Sequence, residues 1–66
     1  MMKILVNGAW REVKRDELAG ALDELGYGGS VVSTAVNGEF IAAAVRARTM
    51  LAEGDRIEVL APMQGG

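Results

Sequence analysis

Residues 3–26, KILVNGAWREVKRDELAGALDELG, decide the fold. They begin with a short aliphatic strand at residues 3–6, which the turn Asn7-Gly8 joins to a second strand at residues 9–14. The mixed polarity of the second strand suits a sheet edge. Four apolar residues then recur with the i, i+3, i+4, i+7 spacing of a helix with one buried face: Leu18, Ala21, Leu22 and Leu25. The segment predicts a β-hairpin followed by one helix.

The ends of this helix also have sequence signals. Asp16 is suited to the N-cap, and Glu17 would lie at the positive end of the helix dipole. Gly26 is suited to the C-terminal end, where a left-handed residue commonly stops a helix. The predicted helix therefore covers residues 17–25.

Three further strands are predicted at residues 31–36, 39–41 and 56–61, with a turn at Asn37-Gly38 and another at residues 53–55. Residues 42–49 fit either a helical turn or a loop. In the last strand, alternation places Ile57, Val59 and Ala61 inward and Arg56, Glu58 and Leu60 outward. The whole pattern predicts an α+β domain, a small mixed sheet with one main helix packed on one face.

The triplet Val-Asn-Gly occurs twice, at residues 6–8 and 36–38. Asparagine and glycine both tolerate the positive φ that tight hairpin turns require. We interpret the two triplets as the same turn chemistry used twice and not as an internal repeat.

The composition excludes several classes of function. The chain has 66 residues, half of them hydrophobic, which fits one domain with one core. It has no cysteine and no histidine, so thiolate metal sites, a cysteine nucleophile and a histidine base are excluded. With a net charge of −2 and no basic stripe, no nucleic-acid or membrane partner is expected. We predict a protein that is not an enzyme and binds no metal, with the cytoplasm as the default location.

The C-terminus reads Pro62-Met63-Gln64-Gly65-Gly66. Pro62 has no N–H to donate to a sheet, so the last strand is expected to stop before it. Two terminal glycines leave a carboxylate with no side chain beside it, which suits a narrow channel. Disordered glycine-rich termini are also common without any function. We therefore predict a domain at residues 1–61 followed by a flexible tail at residues 62–66.

The chain resembles the sulfur carrier proteins of thiamine biosynthesis, which have the ubiquitin-like β-grasp fold. The resemblance covers essentially the whole chain. It rests on four segments: residues 3–8 (KILVNG), 36–40 (VNGEF), 53–59 (EGDRIEV) and 62–66 (PMQGG). One departure follows the turn at Asn37-Gly38, where residues 41–44 (IAAA) stand in place of the proline and arginine that the family often has.

The resemblance implies a function in which the protein carries sulfur and binds no cofactor itself. A ubiquitin-activating-like enzyme would use ATP to adenylate the final glycine, Gly66. A cysteine desulfurase or a rhodanese-like protein would supply sulfur, giving a C-terminal thiocarboxylate. Thiazole synthase would then take that sulfur for the thiazole ring of thiamine.

The site residues carried over from the family all lie in the tail. Gly66 would be the adenylated and thiocarboxylated residue, and Gly65, Gln64, Met63 and Pro62 would thread the partner's channel. Leu60 and Phe40 are candidates for the partner interface. For Leu60 the alternative is an ordinary surface leucine. For Phe40 core packing is the favoured interpretation, and Trp10 is expected to be an exposed or partly covered edge aromatic.

Three rival functions stay open. The first is a sulfur carrier for molybdopterin synthesis or tRNA thiolation, although relatives of that kind usually lead into the terminal glycines with Pro-Pro-Val. The second is a ubiquitin-like modifier joined through Gly66 to lysines of target proteins. The third is a β-grasp interaction domain whose tail has no role.

Overall fold

The computed structural model describes residues 1–61 of the chain. These residues form five strands, one α-helix and one 3₁₀ helix. In chain order they are β1 (Met2–Val6), β2 (Ala9–Val13), α1 (Leu18–Glu24), β3 (Ser33–Val36), β4 (Glu39–Ile41), the 3₁₀ helix (Ala43–Arg48) and β5 (Arg56–Leu60). Within residues 42–49, for which the sequence left a helical turn and a loop open, Ala43–Arg48 form the 3₁₀ helix. Among residues 1–61 no helix is both long enough and apolar enough to cross a membrane.

The strands form one sheet in the order β2-β1-β5-β3-β4. β1 and β5 pair in parallel, and the other three pairs are antiparallel, so the predicted mixed sheet is confirmed. β2 lies at one edge, as its mixed polarity indicated, and β4 lies at the other. The last strand of the chain thus becomes the centre of the sheet, between the first strand and β3.

The core lies between α1 and one face of the sheet. The strands contribute Ile4, Val6, Val13, Ile57 and Val59, the helix contributes Leu18, Ala21 and Leu22, and Leu51 closes one side. All nine side chains are buried, and Leu25 packs partly buried against them. The four apolar residues that predicted the helix therefore face the core, because their spacing brings them onto one side of α1. Among residues 1–61, no helix lies over the opposite face of the sheet, where Trp10, Phe40 and Leu60 are exposed.

The predicted N-cap of α1 is wrong. Glu17 and not Asp16 precedes the helix, with extended backbone angles (φ −95°, ψ 151°) and no side-chain cap. Distant residues pair with this end of the helix instead: the Leu51 N–H donates to the Asp16 carbonyl at 2.7 Å, and the Leu18 N–H donates to the Thr49 carbonyl at 2.8 Å. The Glu17 carboxylate pairs with Arg15. A strand-like bridge from residues 49–51 has therefore taken the place of a local cap.

The other end of α1 follows the sequence prediction. Gly26 lies just past the helix with φ +95°. The Gly26 N–H donates to the Asp23 carbonyl at 3.1 Å, and the Tyr27 N–H donates to the Leu22 carbonyl at 2.9 Å. These two bonds form a Schellman motif, which satisfies carbonyls that the helix leaves unpaired.

Four strand ends differ from the prediction. β1 begins at Met2 and not at Lys3, and β2 ends at Val13 and not at Lys14. β3 begins at Ser33 and not at Val31, which is 80% exposed. β5 ends at Leu60, and Ala61, expected inward, is exposed. The start of β3 and the end of β5 have one cause, because Ser33 pairs with Leu60 as the last rung between these two strands.

The side chain of Arg46 joins the 3₁₀ helix to the sheet. Its Nε donates to Thr34 Oγ1 at 2.9 Å, and its Nη2 donates to the Val32 carbonyl at 2.6 Å. Thr34 is the one buried polar residue among those described, and its hydroxyl in turn donates to the Ile41 carbonyl at 2.9 Å. The buried hydroxyl therefore both donates and accepts a hydrogen bond, as buried polar groups generally require.

Stability is expected to respond to acid through Glu24. Its carboxylate accepts the Lys14 N–H at 2.9 Å and the Arg15 N–H at 2.6 Å, and these backbone hydrogen bonds hold its pKa below the ordinary value of 4.5. A carboxyl whose pKa falls on folding stabilises the fold above its unfolded pKa. That contribution is lost as the pH falls through the lower, folded pKa.

Replacing Glu24 by glutamine is therefore expected to destabilise the protein near neutral pH and to matter less in acid. Urea denaturation of the wild type and Glu24→Gln from about pH 7 down to about pH 3 measures this difference in the free energy of unfolding. The difference should narrow as the pH falls below 4.5. A gap of constant size across that range would contradict the assignment.

Candidate functional site

The strand that leads to the C-terminus alternates as the sequence predicted. Ile57 and Val59 are buried, whereas Arg56, Glu58 and Leu60 face outward. The Leu60 side chain is 67% exposed, although it is the last residue of a central strand. It lies on the face of the sheet that α1 does not cover, two residues before the segment that resembles the carrier tail.

Phe40 lies on the same face, so the favoured expectation that it packs in the core is wrong. Its side chain is 68% exposed. Phe40 pairs with Ala35 across β3 and β4, and Ala35 pairs with the outward-facing Glu58 of β5. Residues directly opposite one another in a sheet share a face. The register of β4 therefore sends this aromatic ring away from the helix.

Phe40 and Leu60 border a shallow depression of about 120 Å³ on the uncovered face. We name this surface the tail-side patch. It is lined by Ser33, Thr34, Ala35, Phe40, Glu58 and Leu60. Glu58 is the one charged member of that set. Two large apolar side chains exposed on one face beside a single carboxylate form a surface suited to contact with another protein.

The tail-side patch has no group poised for catalysis. Its one buried hydroxyl, that of Thr34, is occupied by the Ile41 carbonyl and by Arg46. In the part of the chain that the structure describes, no three acidic side chains come together as a metal site would require.

Trp10 is an exposed edge aromatic, as expected. Its side chain is 58% exposed and lies opposite Leu5 on β1, on the same uncovered face. β2 and β4 are the two edges of the five-stranded sheet. With a strand spacing of about 4.8 Å, Trp10 and Phe40 lie roughly 19 Å apart across the sheet. Trp10 therefore belongs to a separate exposed region.

Two asparagines that sequence analysis assigned only to turns also bind β5. The Asn7 side chain forms two hydrogen bonds with the main chain of Val59, near the end of the strand. The Asn37 side chain bonds to Arg56 and Asp55, at its beginning. The repeated Val-Asn-Gly triplet is the sequence signal for these contacts. Because the turn preference of Asn-Gly already accounts for the triplet, the sequence alone does not indicate that the side chains also bind β5.

The tail residues Pro62, Met63, Gln64, Gly65 and Gly66 lie outside the described residues. Their roles remain predictions. The structure places both interface candidates, Leu60 and Phe40, together at the end of the sheet from which that segment continues.

Comparison with known proteins points to one family. A family model described as the ThiS family matches residues 4–66. The structure is similar to the crystal structure of a thiamine biosynthesis protein (ThiS) from Geobacter metallireducens, with a TM-score of 0.82 and 28% sequence identity. That match covers 98% of this chain and 100% of the other. The search among curated proteins gave no match. The fold is the ubiquitin-like β-grasp, as the resemblance implied.

Proposed function

This chain belongs to the ThiS family, and on that premise we propose that it is a sulfur carrier for thiamine biosynthesis, with the Gly66 carboxylate as the group that carries the sulfur. The observation that supports this most directly is the extent of the family match. It runs through residue 66 and therefore includes the two terminal glycines as well as the folded domain. The protein supplies the reacting group, and its partners supply the catalysis.

The chemistry begins with activation, because a carboxylate is a poor electrophile. A carboxylate oxygen of Gly66 attacks the α-phosphorus of ATP, a P–O bond forms and pyrophosphate leaves. The terminal sulfur of a persulfide on the donor then attacks the carbonyl carbon, and AMP leaves with the C–O bond electrons. A thiol attacks the donor-side sulfur of the resulting acyl disulfide. This step releases the thiocarboxylate and forms a disulfide on the donor side. Thiazole synthase is the acceptor of that sulfur.

Two parts of this chain have different roles: the tail-side patch is recognised by the partner, and the tail brings the Gly66 carboxylate to the partner's active site. The tail-side patch provides apolar contact area for the adenylating enzyme, with Phe40 and Leu60 as the exposed anchors. Residues 62–65 span the distance from the domain to the partner's active site, and Gly65 keeps the chain narrow beside the reacting carbonyl. No thiol of its own is needed, since the sulfur is held at the backbone terminus.

Intact-protein mass spectrometry tests the proposal. The protein is incubated with ATP, a ThiS-type adenylating enzyme shown to be active on its own carrier, and a persulfide donor. We expect a mass increase equal to the replacement of one oxygen by one sulfur, located at Gly66 by fragmentation. A mass that does not change would contradict the proposal. Conjugates linking Gly66 to lysines of other proteins in a cell extract would favour a protein modifier instead.

A further inference from the structure

The two Asn-Gly turns hold the central strand at its opposite ends. Asn7 and Asn37 both have positive φ, 49° and 52°. Each is the first residue after an inner strand, β1 or β3, that flanks β5. In this conformation the main chain turns away from β5, while the side-chain amide stays within reach of it.

At Asn7 the side chain continues a parallel ladder that the main chain has left. The Leu5 N–H donates to the Asp55 carbonyl and the Asn7 N–H donates to the Ile57 carbonyl, both at 2.9 Å. Val59 is the next residue of β5 whose amide and carbonyl face this side, but β1 has ended at Val6. Asn7 Oδ1 accepts the Val59 N–H at 2.8 Å, and Asn7 Nδ2 donates to the Val59 carbonyl at 3.1 Å. One carboxamide therefore replaces the missing rung.

Asn37 has the same role at the other end of β5. Its N–H donates to the Arg56 carbonyl at 2.7 Å, and its Oδ1 accepts the Arg56 N–H at 3.0 Å. Its Nδ2 donates to Asp55 Oδ1 at 3.0 Å. The two asparagines thus have the same turn, the same backbone conformation and the same target strand. They differ in the end of β5 that they hold. Asn37 binds its first residue, Arg56, and Asn7 binds Val59, near the end that leads to the tail.

We propose that Asn7 is a positioning residue for the sulfur-loading reaction, because it fixes Val59 and with it Leu60 and the point where the tail begins. This inference rests on the proposed function. Leu60 follows Val59 directly and borders the tail-side patch. The Asn7 carboxamide therefore holds the residue next to the surface that a partner would contact.

The consequence for loading follows from binding at two linked points. A partner that contacts the tail-side patch and also takes up the tail binds more tightly when the two are held in a favourable relation, because this raises the effective concentration of the tail. Without Asn7, the side of Val59 that faces β1 has no partner, and β3 alone holds the end of β5. Strand ends with few bonds open locally at little cost in free energy. A loosened end would lower the effective concentration and raise KM, with kcat little changed.

The experiment compares Asn7→Gly with Asn37→Gly. Glycine keeps the positive φ of both turns, so each variant removes the side-chain bonds and preserves the turn. Both are assayed with the adenylating enzyme, at a temperature where denaturation curves show each to be fully folded. We expect the KM of Asn7→Gly to rise about tenfold with kcat within about twofold, and Asn37→Gly to stay within about twofold in both.

Amide hydrogen exchange gives a second readout that does not use the partner. Exchange at Val59 and Leu60 should accelerate in Asn7→Gly and not in Asn37→Gly, whereas Arg56 should show the reverse. Equal KM values for the two variants, with the wild type loaded normally, would overturn the role of Asn7 and leave the carrier function standing. A wild type that an active partner does not adenylate would overturn the proposed function and this inference with it.

Discussion

Gly65→Val is expected to leave the domain folded and to reduce loading of Gly66 by at least about a hundredfold. A β-branched side chain next to the reacting residue widens the chain where a partner's channel must admit it, and a misplacement of about 1 Å can cost about a hundredfold in rate. Thiocarboxylate formation, followed by intact mass over time, measures the loss. Gly65→Ala should show a smaller loss, because it adds a single methyl group.

Ala61→Val provides the matched control for this prediction. It adds the same branched side chain to a residue that is exposed and lies directly after β5. We expect its loading rate to stay within about threefold of the wild type, since the widened position is far from the reacting carbonyl. If a folded Gly65→Val protein were loaded at the wild-type rate, the glycines would not be needed for access, and the idle-tail alternative would gain support.

Much of the fold could be predicted because its signals are local. The turn at Asn7-Gly8 depends on two residues that accept positive φ, and the structure gives them φ values of 49° and 85°. The helix depends on one apolar stripe and on Gly26 at its end, and each lies where the pattern indicated. Signals of this kind need no knowledge of the rest of the chain.

The features that could not be predicted depend on residues far apart in the sequence. Asp16 has a side chain suited to an N-cap, but residues 49–51 pair with this end of α1 instead. No local sequence pattern predicts this long-range pairing. The start of β3 is fixed by where β5 ends, since Ser33 pairs with Leu60. Local preference describes one chain segment at a time, whereas these ends are set by the register between two.

In the candidate site, too, local patterns predict some features whereas the register between strands decides others. Alternation along β5 predicted that Leu60 faces outward, because burial of Ile57 and Val59 decides the phase of the whole strand. Hydrophobicity favours core packing for Phe40, but it does not tell which face of the sheet the side chain takes, and within residues 1–61 the helix α1 covers one face. An aromatic residue on a three-residue edge strand takes the face that its register dictates, and here the register aligns it with Ala35.

The exposure of Phe40 and Leu60 predicts a large loss of partner recognition when either side chain is removed. Removing either side chain is expected to weaken recognition by the adenylating enzyme without weakening the fold, because each is about two-thirds exposed in the free protein, 68% and 67%. Aromatic anchors at the centre of an interface commonly contribute 2 kcal/mol or more, about a thirtyfold change in affinity. We expect Phe40→Ala to lower kcat/KM for adenylation about thirtyfold and Leu60→Ala about tenfold.

The effect should be found in KM, since in the proposed complex these side chains would contact the partner far from the reacting carbonyl and would bind equally in the ground state and the transition state. Trp10→Ala is the matched control, because Trp10 is a large exposed aromatic on the same face of the sheet but lies at the opposite edge, on β2. Its kcat/KM is expected to stay within about twofold of the wild type. A thirtyfold loss for Trp10→Ala with little change for Phe40→Ala would move the partner's contact to the β2 edge. Unchanged kinetics for all three variants would mean that the partner recognises the tail alone, and that the exposure of Phe40 has another cause.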